Sequence, residues 1–223
     1  MYVYQLDTDG FATIPQVLTQ DECERLLSLP FELDPASAGS RCLLQQPWCR
    51  DLVAQLRAHP QIAALLPEDA MAVQCTYFEK SLSRNWRVPI HQDLSIPVAA
   101  RIDHPALRGW SEKEGSLYVQ PPAELLEQLV AIRLHLDPCT EGDGPLQFIG
   151  SSHTQGRIDA AEAAEWHRAR PLVACTMNAG DALAMRPLTL HTSSKASGTS
   201  LRRVLHFVFG PAMLPHGLRW QYM

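Results

Sequence analysis

His91 and Asp93 stand two apart in VPIHQDLSIPV, residues 88–98, with apolar residues on both sides. On an extended strand, residues i and i+2 face the same way, so an imidazole and a carboxylate converge on one point. Such a pair is half of a metal site. It is also a frequent coincidence. With 9 His and 12 Asp in 223 residues, about 0.5 His-x-Asp matches arise from composition alone. A second match stands at His135-Leu136-Asp137, and spacing does not choose between the two.

His191 changes the balance. It lies in NAGDALAMRPLTLHTSS, where a Gly180-Asp181 turn leads into a strand-like run. Alone it reads as an ordinary surface or hydrogen-bonded histidine. Beside His91 and Asp93 it completes a set of two imidazoles and one carboxylate. That facial triad suits non-haem Fe(II) and leaves three coordination positions open. Neutral imidazole suits a borderline metal, the carboxylate removes one unit of its charge, and the open face admits oxygen and a chelating cosubstrate.

Eleven residues beyond His191 comes Arg202, in SLRRVLHFVFG. A buried guanidinium needs an anion, since an unpaired one costs several kcal/mol, and Arg grips carboxylates through two parallel hydrogen bonds. The plainer reading is an exposed arginine pair at a strand entry. Side chains alternate along a strand, so at most one of Arg202 and Arg203 points inward. Leu205, Phe207 and Phe209 share Arg203's face, and Val204, His206 and Val208 share Arg202's. Periodicity leaves the choice open.

These residues need a scaffold. GFATIPQVL, residues 10–18, reads as a short strand. Thr19-Gln-Asp-Glu22 is a capping box that opens a helix running to about Leu29. Residues 47–66 carry a second helical pattern, broken near His59-Pro60. From residue 71 the texture changes. MAVQCTYFEK, SLYVQ, QLVAIRLHLD, GPLQFIG, PLVACTMNAGDALAMR and RRVLHFVFG are short apolar or alternating runs divided by Pro, Gly, Asp and Ser. One helix, about Asp159 to Arg168, interrupts them. Many short strands and few helices predict a mainly β protein, a jelly roll with helices packed outside. One domain spans residues 1–223, with a mixed helical part to about residue 70 and a β core over about 71–212.

Composition narrows the class. Hydrophobic residues make up 46% and charged residues 19%, as in a globular protein. A net charge of −5 argues against a duplex nucleic-acid binder. No apolar run is long enough for a membrane span, and MYVYQLDTDGF has no secretory signal pattern. The cysteines at 23, 42, 49, 75, 139 and 175 form no CxxC pair and read as reduced thiols of a cytoplasmic protein. Monomer and homodimer both remain open.

The sequence resembles the phytanoyl-CoA dioxygenase family, Fe(II)- and 2-oxoglutarate-dependent oxygenases with a double-stranded β-helix (cupin-like) core. Four pieces carry the resemblance in the family's order: NWRVPIHQDLSIPV, LHLDPCTEGDGPLQFIGSSH, GDALAMRPLTLHTSS and LRRVLHFVF, spanning residues 85–209. One departure is Ile149, where the family commonly has Pro. The resemblance implies that His91, Asp93 and His191 ligate the metal and that His135 and Asp137 are a decoy, Asp137 capping a turn. It implies a structural or supporting role for His153. It further implies that Arg202, with Arg203 the alternative, binds the distal carboxylate of 2-oxoglutarate together with Ser193. Halogenating relatives replace the carboxylate ligand by a small residue, so Asp93 favours hydroxylation of a small-molecule substrate by Fe(II), 2-oxoglutarate and O2.

Substrate contacts are less legible. Asn85, Trp86, Tyr118, Gln120 and Arg133 lie in or beside strands close to the triad segments. Trp86 and Tyr118 equally suit a core. Lys80 and Arg133 are charges within apolar strands, placed to face 2-oxoglutarate or an acidic substrate. The segment 97–115 lacks strand periodicity and reads as a surface loop or as a lid. Two readings from other classes stand beside this one: a cupin-type metal enzyme that does not use 2-oxoglutarate, and a binding protein that keeps the fold without catalysis.

Overall fold

The computed structural model describes residues 3–31, 39–198 and 201–222. In chain order the strands are β1 (Phe11–Ile14), β2 (Gly39–Ser40), β3 (Met71–Lys80), β4 (Val88–His91), β5 (Ile96–Val98), β6 (Arg108–Lys113) and β7 (Ser116–Gln120). They continue as β8 (Val130–His135), β9 (Leu146–Phe148), β10 (Val173–Ala174), β11 (Ala182–Met185), β12 (His191–Ser193) and β13 (Arg202–Gly210). Every pairing among the described residues is antiparallel. A large sheet runs β1-β11-β8-β13-β3-β2, a smaller one β10-β9-β12-β4, and a third β5-β7-β6. The expected jelly-roll core is present.

The large sheet has two different faces because side chains alternate along each strand. One face turns Cys75, Tyr77, Ile132, Leu134, Leu205, Phe207 and Phe209 outward, and all are buried. They pack against Cys49, Leu52, Leu56 and Ile62 from the helical segments within residues 47–63. At about 25 cal/mol per Å² of apolar surface, this layer supplies much of the folding drive. The opposite face looks into the space between the sheets.

Among the described residues six α-helices surround the strands: α1 (Leu6–Asp9), α2 (Gln20–Leu27), α3 (Pro47–Ala58), α4 (Pro60–Ala63), α5 (Ala123–Leu126) and α6 (Ala160–Ala169). Their ends follow local chemistry. Thr19 caps α2 with the full reciprocal box to Glu22. Pro60 ends the preceding helix at Ala58 and opens the next as its first residue. Asp159 caps α6 by accepting from the N–H groups of Ala161 and Glu162.

Two expectations change. The segment 97–115 is not a plain loop. Its second half is strand β6, which hairpins into β7 through Glu114-Gly115 and pairs across it. The strand is not legible in the sequence because it is a largely exposed edge, has no apolar alternation and carries a register shift between Arg108 and Ser111. Asp137 also does not cap the turn after it. Its carboxylate accepts from the backbone N–H, Nε and Nη2 of Arg203.

Candidate functional site

The smaller sheet and the loop after it assemble the triad. His91 ends β4 and His191 opens β12, and the two are direct partners across that strand pair. Their ring centroids lie 4.2 Å apart. Asp93 is past the end of β4, so no single strand carries both members of the pair. Its N–H donates to the Pro187 carbonyl at 2.9 Å, which aims the carboxylate back at the imidazoles. His91 Nε2 is 3.5 Å from Asp93 Oδ1, and His191 Nε2 is 3.8 Å from Oδ2. One donor atom from each residue falls within 4.8 Å of the others.

The donor set fits a divalent metal. His91 Nδ1 meets the Pro89 carbonyl and His191 Nδ1 the Thr189 carbonyl, each at 2.9 Å. Those contacts place the ring proton on Nδ1, and both Nε2 lone pairs then face the centre. Burial drives the His191 pKa down to about 4, which keeps that imidazole neutral as a ligand must be. Burial opposes ionisation of Asp93, but the neighbouring His191 and His91, which attract the carboxylate whenever they carry a proton, and the His91 hydrogen bond outweigh it and hold the carboxyl well below its usual range. The second match separates cleanly. His135 is buried beside Arg133 and Arg202, and Asp137 serves Arg203.

The triad lies on the wall of a cavity of about 410 Å³ between the sheets. Arg202 and Ser193 line the same cavity. Arg202 is 3% exposed. It donates through Nη1 to the Gly144 carbonyl, and its Nε is buried with no partner. Gly144 has φ +63°, and a Cβ there would stand 2.4 Å from the Ser194 carbonyl, so the position takes a glycine. Arg203 points to the other face of β13 and is held by Asp137, which resolves the alternation left open by the sequence.

The remaining candidates divide. Trp86, Tyr118, Gln120 and Arg133 line the cavity. Gln120 accepts from Arg157 at 2.8 Å. Lys80 and Asn85 are not on its wall. Lys80 is 1% exposed and lies behind Ser193, donating to Ser193 Oγ at 2.7 Å and to the Ser194 carbonyl. Burial, then the charges of Arg202 and Arg133, lower its pKa to about 7. Asn85 clamps the backbone of Ala196 with two hydrogen bonds of 2.7 and 2.8 Å. His153 reaches the Asp7 carbonyl, away from the cavity.

Two residues of this region were not singled out from the sequence. Gln92 is buried between the two acid–imidazole residues and spends its whole amide on backbone. Nε2 donates to Leu188 O and Gly156 O, and Oε1 accepts from Ile158 N. His206 lies on the cavity face of β13 in register with Arg133. Its place on Arg202's alternation was the available signal.

The comparisons agree with this geometry. The phytanoyl-CoA dioxygenase (PhyH) family profile matches residues 6–204. No protein of curated function matches the sequence. Among solved structures, the chain is similar to a non-heme alpha-ketoglutarate-dependent carbocyclase, SnoK, from nogalamycin biosynthesis. Identity is 18%, coverage 93% of this chain and 81% of that one, and the TM-score 0.68. It is similar to HygX from Streptomyces hygroscopicus, solved with nickel and 2-oxoglutarate bound, at 18% identity, 94% and 85% coverage and a TM-score of 0.65. It is also similar to AviO1 from Streptomyces viridochromogenes Tue57, at 20% identity, 94% and 93% coverage and a TM-score of 0.63. With nearly the whole chain inside one family profile, the protein belongs to the phytanoyl-CoA dioxygenase family.

Proposed function

We propose that this protein is an Fe(II)- and 2-oxoglutarate-dependent oxygenase that hydroxylates an unactivated C–H bond of a small molecule. The observation that carries the reading is one cavity with His91, Asp93 and His191 on its wall and Arg202 and Ser193 beside them. Family membership supports the same chemistry. Iron bound with 2-oxoglutarate and O2 supplies the oxidising power, with succinate and CO2 as coproducts.

The chain's own residues bind, orient and exclude water. His91 and His191 would offer Nε2, and Asp93 a carboxylate oxygen. Arg202 has donors to spare for a distal carboxylate, including its unpartnered Nε. Ser193 Oγ accepts from Lys80, so its own proton is left to donate toward that carboxylate. Phe78, Leu146, Met185 and Val208 give the cavity apolar walls, which strengthen these contacts by excluding water. An inward, buried Arg202 also supports a 2-oxoglutarate enzyme over a cupin-type enzyme that lacks the cosubstrate.

We read residues 1–223 as one catalytic unit, supported by β1 pairing with β11 inside the large sheet. No helix of the described residues is long and apolar enough to cross a membrane. The test is succinate formation in air with Fe(II), 2-oxoglutarate and ascorbate, for the wild type and His91→Ala. Oxygen-dependent turnover lost in the variant is the expected result. Neither turnover nor an anaerobic visible charge-transfer band on adding 2-oxoglutarate would overturn the reading.

A further inference from the structure

The cavity holds more positive charge than its cosubstrate needs. Arg133 and Arg202 both line it, and Asp93 is the one carboxylate among the described lining residues. Arg41 at the wall is already paired with Glu114 at 2.6 Å, and Lys113 lies 4.9 Å over the Tyr118 ring. Arg202 has its own anchor on Gly144. Arg133 has none. It is 6% exposed, its Nε is buried without a partner, and it makes neither a hydrogen bond nor an ion pair among the described residues. Its one contact of note is the Phe78 ring, 5.4 Å from Cζ. An unpaired buried cation is costly unless an anion completes it.

Register says where that anion sits. Arg133 on β8 pairs with His206 on β13, four residues from Arg202 along the same strand. Four residues of strand span about 13 Å between Cα atoms, so the two arginines root at different levels of the large sheet, although their side chains reach close enough for the charge of Arg202 to act on Arg133. Arg202 is on the side of Lys80, its partner across β3, and of Ser193. Beyond Arg133 the wall is mostly apolar, through Ala131, Val208 and Leu129, with Gln74 as its uncharged polar member. Arg133 therefore stands where the polar end of the cavity gives way to its apolar end. The Asp93 carboxylate bears on Arg133 only at a distance, so with 2-oxoglutarate at the Arg202 end and the metal, Arg133 would still have no acceptor of its own among the described residues.

We infer that Arg133 is a specificity-determining residue that pairs with a carboxylate on the primary substrate, which is then a small, largely apolar carboxylic acid. A single guanidinium offers a planar fork suited to a monoanionic carboxylate. A dianionic phosphate would call for a second free cation at that level, and the partner there is His206, which burial holds mostly uncharged. The inference rests on the 2-oxoglutarate reading for the assignment of Arg202, and the experiment separates the two.

The experiment is calorimetric titration of the Ni(II)-loaded protein, with and without 2-oxoglutarate, using hexanoate and phenylacetate and the matching amides. Wild type, Arg133→Met, Arg133→Lys and Arg202→Met are compared. The wild type should bind at least one acid tenfold or more tighter than its amide. Arg133→Met should erase that preference while raising the 2-oxoglutarate Kd less than tenfold, and Arg202→Met should raise it at least a hundredfold. Arg133→Lys, keeping the charge, should restore part of the preference, which a merely structural arginine would not explain. Equal binding of acids and amides, no binding of either acid, or tighter binding of phenyl phosphate than of phenylacetate would overturn the inference. So would an Arg133→Met loss of 2-oxoglutarate equal to that of Arg202→Met, since Arg133 would then serve the cosubstrate. If 2-oxoglutarate fails to bind the wild type while the acid preference still depends on Arg133, the cosubstrate reading falls and this one stands.

Discussion

Gln92 Nε2 lies 2.7 Å from the carbonyl oxygen of Leu188, three residues before His191. One buried amide thus joins the segment bearing His91 and Asp93 to the segment bearing His191. The same amide also binds Gly156 and Ile158. Replacing it by leucine leaves three backbone groups without their partner. Supporting residues of this kind are worth about 10–100-fold in metal affinity. Gln92→Leu should weaken Ni(II) binding by that factor, read by titration, with all three ligands intact. Unchanged affinity would mean that the ligand loops are held elsewhere.

The adjacent arginines of β13 should behave as opposites. Arg202→Met should raise the 2-oxoglutarate Kd at least a hundredfold with little loss of stability. Arg203→Met should leave that Kd within about threefold and lower stability by about 1–2 kcal/mol, because it breaks a partly buried, doubly hydrogen-bonded ion pair with Asp137. Anaerobic titration and urea unfolding of both variants check the contrast. Equal effects on 2-oxoglutarate would refute the division.

Lys80 gives a dependence on pH. Its pKa is about 7 in the folded chain against the ordinary 10.5, through burial and then the charges of Arg202 and Arg133. Both arginines stay charged around neutral pH. Below pH 7 the folded protein bears the full cost of a buried ammonium. Between 7 and 10.5 the unfolded chain binds a proton that the folded chain does not, so stability rises with pH in that window. Lys80→Met removes this contribution. The stability of wild type relative to the variant should climb by about 2–4 kcal/mol from pH 6 to pH 10, measured by urea unfolding of both proteins. A difference flat with pH would show that the ammonium is stabilised by its two acceptors as well as by water.

Metal binding should appear as stability. A ligand held at a hundred times its Kd adds about 2.7 kcal/mol to the folded state. Ni(II) with 2-oxoglutarate should raise the melting temperature of the wild type by several degrees, and a chelator should reverse the gain. His91→Ala should show no such rise. An equal rise in the variant would place the metal elsewhere.

Much of this was legible, and the reasons are local. Thr19 and Glu22 announce a helix start because the box is satisfied within four residues. Pro60 announces a break because its ring excludes the preceding helical turn. The runs that became β3, β8 and β13 are long and apolar on at least one face. What stayed hidden depends on partners far along the chain. Arg203 is settled by Asp137, 66 residues away, and Lys80 by Ser193, 113 residues away. Gln92 looks like a spacer between two ligands until Leu188 and Ile158 are beside it. β6 is an exposed edge whose pairing is visible only in the hairpin.

The Arg203–Asp137 pair has a consequence beyond its own energy. A strand has only two phases, and slipping β13 by one residue would exchange every side chain between its faces. Leu205, Phe207 and Phe209 would then crowd the space for substrate, and Arg202 and His206 would be driven into the oily layer under the helices. Arg203 can meet Asp137 in one phase alone. The ion pair outside the cavity therefore adds its weight to the one register in which the cavity keeps its own lining.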